Sequence, residues 1–301
     1  MKRDPVPLIL GHNQFIGVDH LSQERARERQ GRFDDQGRIL DLLRVAVDAG
    51  VEGLMVSTHA KLKETVQLVE GDPTLRGRLA YYPIVPYAQG YVVRANQIGI
   101  PGLALESIRQ ARAKGSLRMM LRSARAAATR NPKHFIGPLV DMELAAFRGA
   151  NVDAVFLHNS ITDLLVGWNA IPVLKAFQDH VERHYDARAG FATFNFPLLM
   201  DRLRGHGLRR PVVLTSFNPV GFQMSPGRAE NEAALRRDEA DVVAMSIFAA
   251  GYVKPAEAFA YLKGLPGIRS AVFGASSPQH VTHSAKALQE CLGPQPPLPR
   301  S

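Results

Sequence analysis

Short apolar runs alternate with amphipathic stretches along the whole chain. Eight runs read as strands: 7–10 (PLIL), 53–57 (GLMVS), 79–85 (LAYYPIV), 154–158 (AVFLH), 189–194 (AGFATF), 212–217 (VVLTSF), 242–246 (VVAMS) and 270–273 (SAVF). None keeps a strict alternation of apolar and polar positions, which is the pattern of parallel strands buried on both faces. Between them the period changes to that of helices. In 38–48, Ile39, Leu42, Leu43 and Ala46 fall on one stripe. Further helices are predicted over 62–69, 170–184, 198–204, 229–239, 255–263 and 278–290, with Pro255 and Pro278 in first-turn positions that need no N–H donor. Eight such units in 301 residues predict an α/β protein, a single TIM (βα)8 barrel. A doubly wound open sheet is the other arrangement of these units, but no Gly-rich phosphate turn follows the first strand.

Two segments are longer than a minimal barrel needs. Residues 11–37 follow the first strand. Residues 86–148 follow the third, with helices predicted at 116–130 and 138–147. Both leave the strand C-terminal ends, where barrel active sites are built and where long loops form substrate walls. The barrel is expected to span 1–292, and the Pro-rich 293–301 (GPQPPLPRS) is expected to be a disordered tail.

Composition narrows the class. With 46% hydrophobic and 22% charged residues the chain is not wholly disordered. Its one cysteine, Cys291, excludes an internal disulfide framework. No apolar run reaches the roughly 18 residues of a membrane span, and the opening MKRDPVP has no apolar signal core. A cytoplasmic chain without membrane contact is the expectation. The net charge is +9, and residues 100–134 alone hold eight basic side chains against Glu106. Arg118, Arg122 and Arg125 share one helix face there. That face reads as a solvated surface or as a wall for an anionic metabolite. Nucleic acid is disfavoured, because no aromatic residue interleaves with the arginines to stack on bases.

In such a barrel, polar residues just past the strand ends are the first candidates for chemistry. The chain places His12 and Asn13 after the first strand, and His59 and Lys61 after the second. Tyr87 and Tyr91 follow the third, His158 and Asn159 the fourth, Asn195 the fifth and Asn218 the sixth. Three readings stand for His12, His59 and His158: hydrogen-bonded rim residues, a general acid and base titrating near neutrality, or a three-histidine site for a divalent metal with an open position for water. As catalytic groups His158 comes first, then His12 and His59, with Lys61 and Tyr87 further. Asn13, Asn159, Asn195, Asn218 and Tyr91 are the candidates for holding substrate oxygens.

From Ala154 onward the strand ends resemble the aldo-keto reductase superfamily, barrels that bind a nicotinamide cofactor. The matching pieces are LHN at 157–159, FATFNF at 191–196, SFNP at 216–219, AMS at 244–246 and VFGASSPQHV at 272–281. The resemblance implies that His158 is the family's catalytic histidine. It also implies that Asn195 holds the cofactor carboxamide, and that Ser246, Gly274, Ser276, Ser277 and His280 lie at its phosphates. The rest of the catalytic set departs: Met55 stands for the aspartate, Ala60 for the tyrosine, and Pro83 or Val85 for the lysine. In the cofactor site Met245 stands for a stacking aromatic, His280 for an arginine and Ser284 for an asparagine. Without the tyrosine the usual proton donor to a developing alkoxide is missing. The expectation is therefore a small-molecule enzyme doing non-redox acid/base chemistry (isomerase, lyase or hydrolase) on a polar or anionic metabolite. The alternatives are an NAD(P)H-dependent oxidoreductase with a rearranged catalytic set and NADP in a thinned site, or a catalytically silent ligand-sensing barrel.

Overall fold

The computed structural model describes residues 6–17, 31, 33–86, 132–208 and 210–293. Eight parallel strands close on themselves in sequence order: β1 (Leu8–Gly11), β2 (Gly53–Ser57), β3 (Ala80–Val85), β4 (Ala154–Leu157), β5 (Arg188–Thr193), β6 (Val212–Ser216), β7 (Asp241–Met245) and β8 (Ile268–Phe273). The described α-helices are α1 (Gln36–Asp48), α2 (Ala60–Gly71), α3 (Pro132–Glu143), α4 (Asn159–Gly167), α5 (Ile171–His184), α6 (Phe196–Gly205), α7 (Arg228–Leu235), α8 (Pro255–Lys263) and α9 (Pro278–Leu292). This is the (βα)8 barrel that the alternating pattern predicts. None of these helices is long and apolar enough to cross a membrane.

Three elements differ from the sequence reading. The helix expected at 138–147 is α3 followed by a 3-10 turn at Leu144–Phe147, and Pro138 lies inside the helix, which begins at Pro132. An additional helix, α4, precedes α5. α7 ends at Leu235 rather than 239, because Asp238 turns into the left-handed region at φ 50°. The helix expected at 116–130, the arginines of the cationic stretch, and the tail after Gly293 lie outside the described residues.

The strand registers fix which side chains share a level inside the barrel. Parallel neighbours pair Met55 with Tyr82, Phe156 with Gly190, Leu214 with Val243 and Val272 with Ile9. Each step around a barrel of tilted strands moves the level by about one residue. The even strands therefore contribute three inward layers of four: Gly53, Ala154, Val212 and Ser270 at the bottom; Met55, Phe156, Leu214 and Val272 in the middle; Ser57, His158, Ser216 and Gly274 at the top. The odd strands interleave with Ile9, Tyr82, Gly190 and Val243, then Gly11, Ile84, Ala192 and Met245. Ala154 and Val212 of the bottom layer join Met55, Phe156, Leu214 and Val272 of the middle one in an apolar cluster. Gly190 is required there: a Cβ on it would lie 2.5 Å from the Phe156 ring.

A larger apolar cluster fills the space between sheet and helices, with Leu43, Val66, Phe177 and Leu199 among its fully buried members. α3 is clamped to α5 by Asp141, which takes hydrogen bonds from His180 Nε2 at 2.7 Å and Tyr185 Oη at 2.8 Å. That clamp positions the end of α3 beside the barrel top, where the buried Glu143 accepts a hydrogen bond from the Thr58 hydroxyl.

Candidate active site

The top layer opens at the strand C-terminal ends, and the loops bring three imidazoles to it. His59 and His158 occupy equivalent places in their βα units. Each is extended (ψ 141° and 140°) and serves as the N-cap of the next helix. His59 Nδ1 accepts from Lys61 N, and His158 Nδ1 accepts from Ser160 N, both at 3.2 Å. An Nδ1 that accepts leaves the proton on Nε2. His12 has the opposite tautomer, because its Nδ1 lies 3.0 Å from the Met55 carbonyl and must donate to it. His158 thus carries an Nε2–H donor and His12 an Nε2 acceptor.

Burial keeps all three neutral. His12 is 7% exposed, and loss of solvation pushes its pKa down to about 4. The Met55 hydrogen bond opposes that shift, and repulsion from charged His59 and His158 adds to it, so the three rings lie within electrostatic reach of one another. His59 is lowered by burial and then by Lys61, and His158 by burial. Among the described residues no group of three or more His, Cys, Asp or Glu side chains is arranged to hold a metal ion. The three-histidine metal reading therefore does not match the geometry.

Two hydroxyls of the top layer, Ser57 Oγ and Ser216 Oγ, are buried without a hydrogen-bond partner. Gln14, on the 3-10 turn after β1, reaches the fourth position of that layer. Its Nε2 would be 2.6 Å from a Cβ on Gly274, and its Oε1 is likewise buried and unpartnered.

Other expected residues have local tasks. The Lys61 ammonium donates to the Phe33 carbonyl, tying α2 to the segment before α1. Asn218 is fully spent on the loop after β6: Nδ2 donates to Phe222 O (2.9 Å) and Ser246 O (3.3 Å), and Oδ1 accepts from Phe222 N (2.8 Å). Its role is to shape the rim, not to hold a substrate oxygen. Asn195 caps α6 through Oδ1, which accepts from Leu198 N at 3.3 Å. Ser246 donates to Gln223 at 3.1 Å, and Ser277 caps α9 by accepting from His280 N at 3.3 Å. Asn159 opens α4, Asn13 and His280 are exposed, and Ser276 is half-buried. Tyr87 and Tyr91 lie outside the described residues.

Sequence reasoning missed Asp163. It lies on α4 and accepts from Phe194 N at 3.0 Å and from the Thr193 hydroxyl, which fixes the end of β5. Burial raises its pKa, and those two hydrogen bonds oppose the rise. Ser57 and Ser216 were legible only as strand-end hydroxyls, since their lack of partners depends on the closed barrel.

No protein-family model and no curated protein matches the chain. Solved structures do match. A Pseudomonas aeruginosa protein assigned to the aldo-keto reductases by inference is 15% identical over 95% of this chain and 90% of its own, with a TM-score of 0.59. The holo form of aldo-keto reductase AKR11C1 from Bacillus halodurans is 12% identical over 94% and 86%, with a TM-score of 0.57. An aldo-keto reductase from Klebsiella pneumoniae in complex with NADPH is 14% identical over 94% and 86%, with a TM-score of 0.50. At these identities the likeness establishes the fold: a closed (βα)8 barrel like that of these structures.

Proposed function

We propose that the chain is a nicotinamide-dependent oxidoreductase that interconverts an alcohol and a carbonyl at the barrel mouth, with histidine moving the proton. The observation that carries this reading is the gathering of His12, His59 and His158, all with lowered pKa values, at the top of the barrel, with an Nε2 acceptor on His12 and an Nε2–H donor on His158. The fold neighbours support the redox alternative, and the non-redox isomerase, lyase or hydrolase expectation draws no support from them.

The residues present fit a dinucleotide in outline. The exposed Gly274 leads through Ser276 and Ser277 into the N-terminus of α9, whose positive dipole end suits a phosphate. Met245 and Phe194, turned into the mouth and half-buried, would take the face of the nicotinamide ring, and Asn195 Nδ2 would take its carboxamide oxygen. When bound, the dinucleotide takes up or returns the hydride.

The chain's own residues handle the proton. His12 Nε2 accepts the proton of the alcohol hydroxyl, and the Nε2–H of His158 donates to the same oxygen as it becomes a carbonyl. A base with a depressed pKa is fully available at pH 7, so oxidation of the alcohol is the direction these imidazoles favour near neutrality. Reduction needs an imidazolium and gains as the pH falls toward the depressed pKa values.

Titration with NADPH and NADH by fluorescence, followed by alcohol oxidation with the corresponding oxidised cofactor, tests the reading. Binding and a His12-dependent rate are expected. Failure of both dinucleotides to bind at millimolar concentration would overturn it, and would return the silent ligand-sensing barrel as the better account.

A further inference from the structure

The turn after β5 is held from behind by a carboxylate on the neighbouring helix. β5 pairs with β4 as far as Phe191 opposite Leu157, and with β6 as far as Thr193 opposite Thr215. Beyond those pairs the Phe194 amide needs an acceptor from elsewhere, and Asp163 on α4 supplies it. Its Oδ2 accepts from Phe194 N at 3.0 Å, and its Oδ1 accepts from the Thr193 hydroxyl. Thr193 Oγ1 in turn accepts from Asn195 N at 2.9 Å, and the Phe194 carbonyl accepts from Ser225 N at 2.8 Å. Thr193 is fully buried and alternates with the inward Ala192, so it faces the helices rather than the mouth. One side chain, working outside the barrel, therefore orders three consecutive residues.

The same helix begins at an imidazole of the mouth. His158 caps α4, and the buried Thr162 hydroxyl ties its first turns to the Leu157 carbonyl at 3.2 Å. Asp163 is the next residue. α4 is thus fixed to the end of β4 by His158 and Thr162, and to the end of β5 by Asp163. Charge sets the polarity of this network. A carboxylate only accepts, so the Thr193 hydroxyl must donate to it, which leaves a lone pair on that oxygen for Asn195 N. An amide in place of the carboxylate has one acceptor for two donors, and one of the pairs is lost whichever way it turns.

We infer that Asp163 is a positioning residue: it fixes the Thr193–Asn195 turn that presents Phe194 and Asn195 to the nicotinamide, and it ties that turn to the helix capped by His158. The proton-moving ring and the ring that exchanges hydride are thereby held in one register by a single carboxylate that meets neither. The inference rests on the dinucleotide reading of the mouth and adds to it a residue through which the nicotinamide end is held independently of the phosphate end.

Calorimetry on the full-length protein tests it with two pairs of ligands: NADP+ beside 2′-phospho-ADP-ribose, and NAD+ beside ADP-ribose, the second of each pair being the first without its nicotinamide. The wild type should bind a dinucleotide more tightly than its truncated partner. Asp163→Ala should lose about tenfold in affinity for the dinucleotide, the worth of one or two net hydrogen bonds, and should bind the truncated ligand as the wild type does. Asp163→Asn and Thr193→Val, which each break part of the network and keep the shape of the side chain, should lose about threefold; they carry the comparison if the alanine variant does not fold. In the protein without cofactor, amide exchange at Phe194 and Asn195 should quicken in all three variants, while the His158 pKa read by NMR stays in place. Equal losses for the full and truncated ligands, unchanged dinucleotide affinity in the variants, or a wild type that binds both members of a pair alike would overturn the inference and leave dinucleotide binding standing. A wild type that binds neither dinucleotide nor truncated ligand removes the redox reading and the inference together.

Discussion

The two ends of the barrel treat inward polar groups in opposite ways. At the N-terminal end Arg188 and Asp241 open β5 and β7 and point inward. Asp241 Oδ2 accepts from Arg188 at 2.6 Å and Oδ1 from Arg210 at 2.9 Å. Tyr82 Oη donates to Asp153 at 3.1 Å and accepts from Val6 N at 2.9 Å, and Ser270 Oγ donates to Val6 O at 2.5 Å. Each of these inward-pointing side chains has its partner. At the C-terminal end Ser57, Ser216 and Gln14 Oε1 have none, and His12, His59 and His158 each engage the fold through Nδ1. One end is closed by paired polar groups, and the other keeps buried polar atoms unpaired. That division predicts which substitutions cost stability and which cost only activity.

The largest effect is expected at the open end. His158→Asn keeps an acceptor for Ser160 N, so the α4 cap survives while the imidazole is lost. Turnover should fall about 100- to 10,000-fold, and unfolding free energy should move by less than about 1 kcal/mol. Steady-state kinetics beside urea denaturation reads both. An unchanged rate would remove His158 from the proton path, and a large loss of stability would remove the contrast between the ends.

The closed end should behave the other way. Asp241→Ala removes the buried carboxylate to which Arg188, 16% exposed at its side chain, and Arg210 both donate. A buried ion pair broken from one side costs about 3–5 kcal/mol, with the chemistry of the surviving folded fraction unaltered. A loss below about 1 kcal/mol in a denaturant melt would show that water replaces the carboxylate, and that the N-terminal end is less sealed than its hydrogen bonds indicate.

Much of this division can be read from the sequence, but unevenly. The strands are legible because each is a short apolar run between polar helix faces, and His12, His59 and His158 stand out as titratable residues just past strand ends. α4 escaped notice because NSITDLLVGWN lies directly against α5, with only Trp168 to Ala170 between them. Asn195 and Asn218 look alike in sequence, each one residue past an aromatic. Only the folded loop shows that Asn218 spends both amide atoms on Phe222 and Ser246, while Asn195 uses Oδ1 alone. Glu143 meets Thr58 from 85 positions away, a pairing that no local pattern encodes. Unpaired hydroxyls are invisible for the same reason: they are a property of the closed barrel and its registers.

Acid titration should separate the ends further. His12 has a folded pKa of about 4 against an ordinary value of 6.5. Above pH 6.5 the ring is neutral in both the folded and unfolded states, and its burial costs nothing. As the pH falls from 6.5 to about 4 the unfolded chain takes up a proton that the folded protein refuses, so stability declines by about 3 kcal/mol. His59 and His158, lowered in the same direction, steepen the decline. Unfolding free energy measured between pH 8 and 4 should fall less steeply in His12→Asn than in the wild type, and alcohol oxidation should be flat near neutrality and drop on the acid side. Parallel stability curves for the two proteins would show that the His12 pKa is not depressed in the fold.

The smallest expected effects come from one substitution made at both levels. Gly190→Ala puts a Cβ 2.5 Å from two atoms of the Phe156 ring, which is fully buried in the middle layer and has no room to turn. Overpacking of that kind costs about 1–3 kcal/mol. Gly274→Ala makes a contact of similar closeness, 2.6 Å, but with the end of the Gln14 side chain at the exposed top layer. No left-handed backbone is required at either position, so only the neighbour's freedom differs. Gln14 can rotate away, and the cost should stay within about 0.5 kcal/mol. Equal destabilisation by the two alanines would mean that Gln14 is locked as firmly as Phe156, and that the top of the barrel is packed for stability like the bottom.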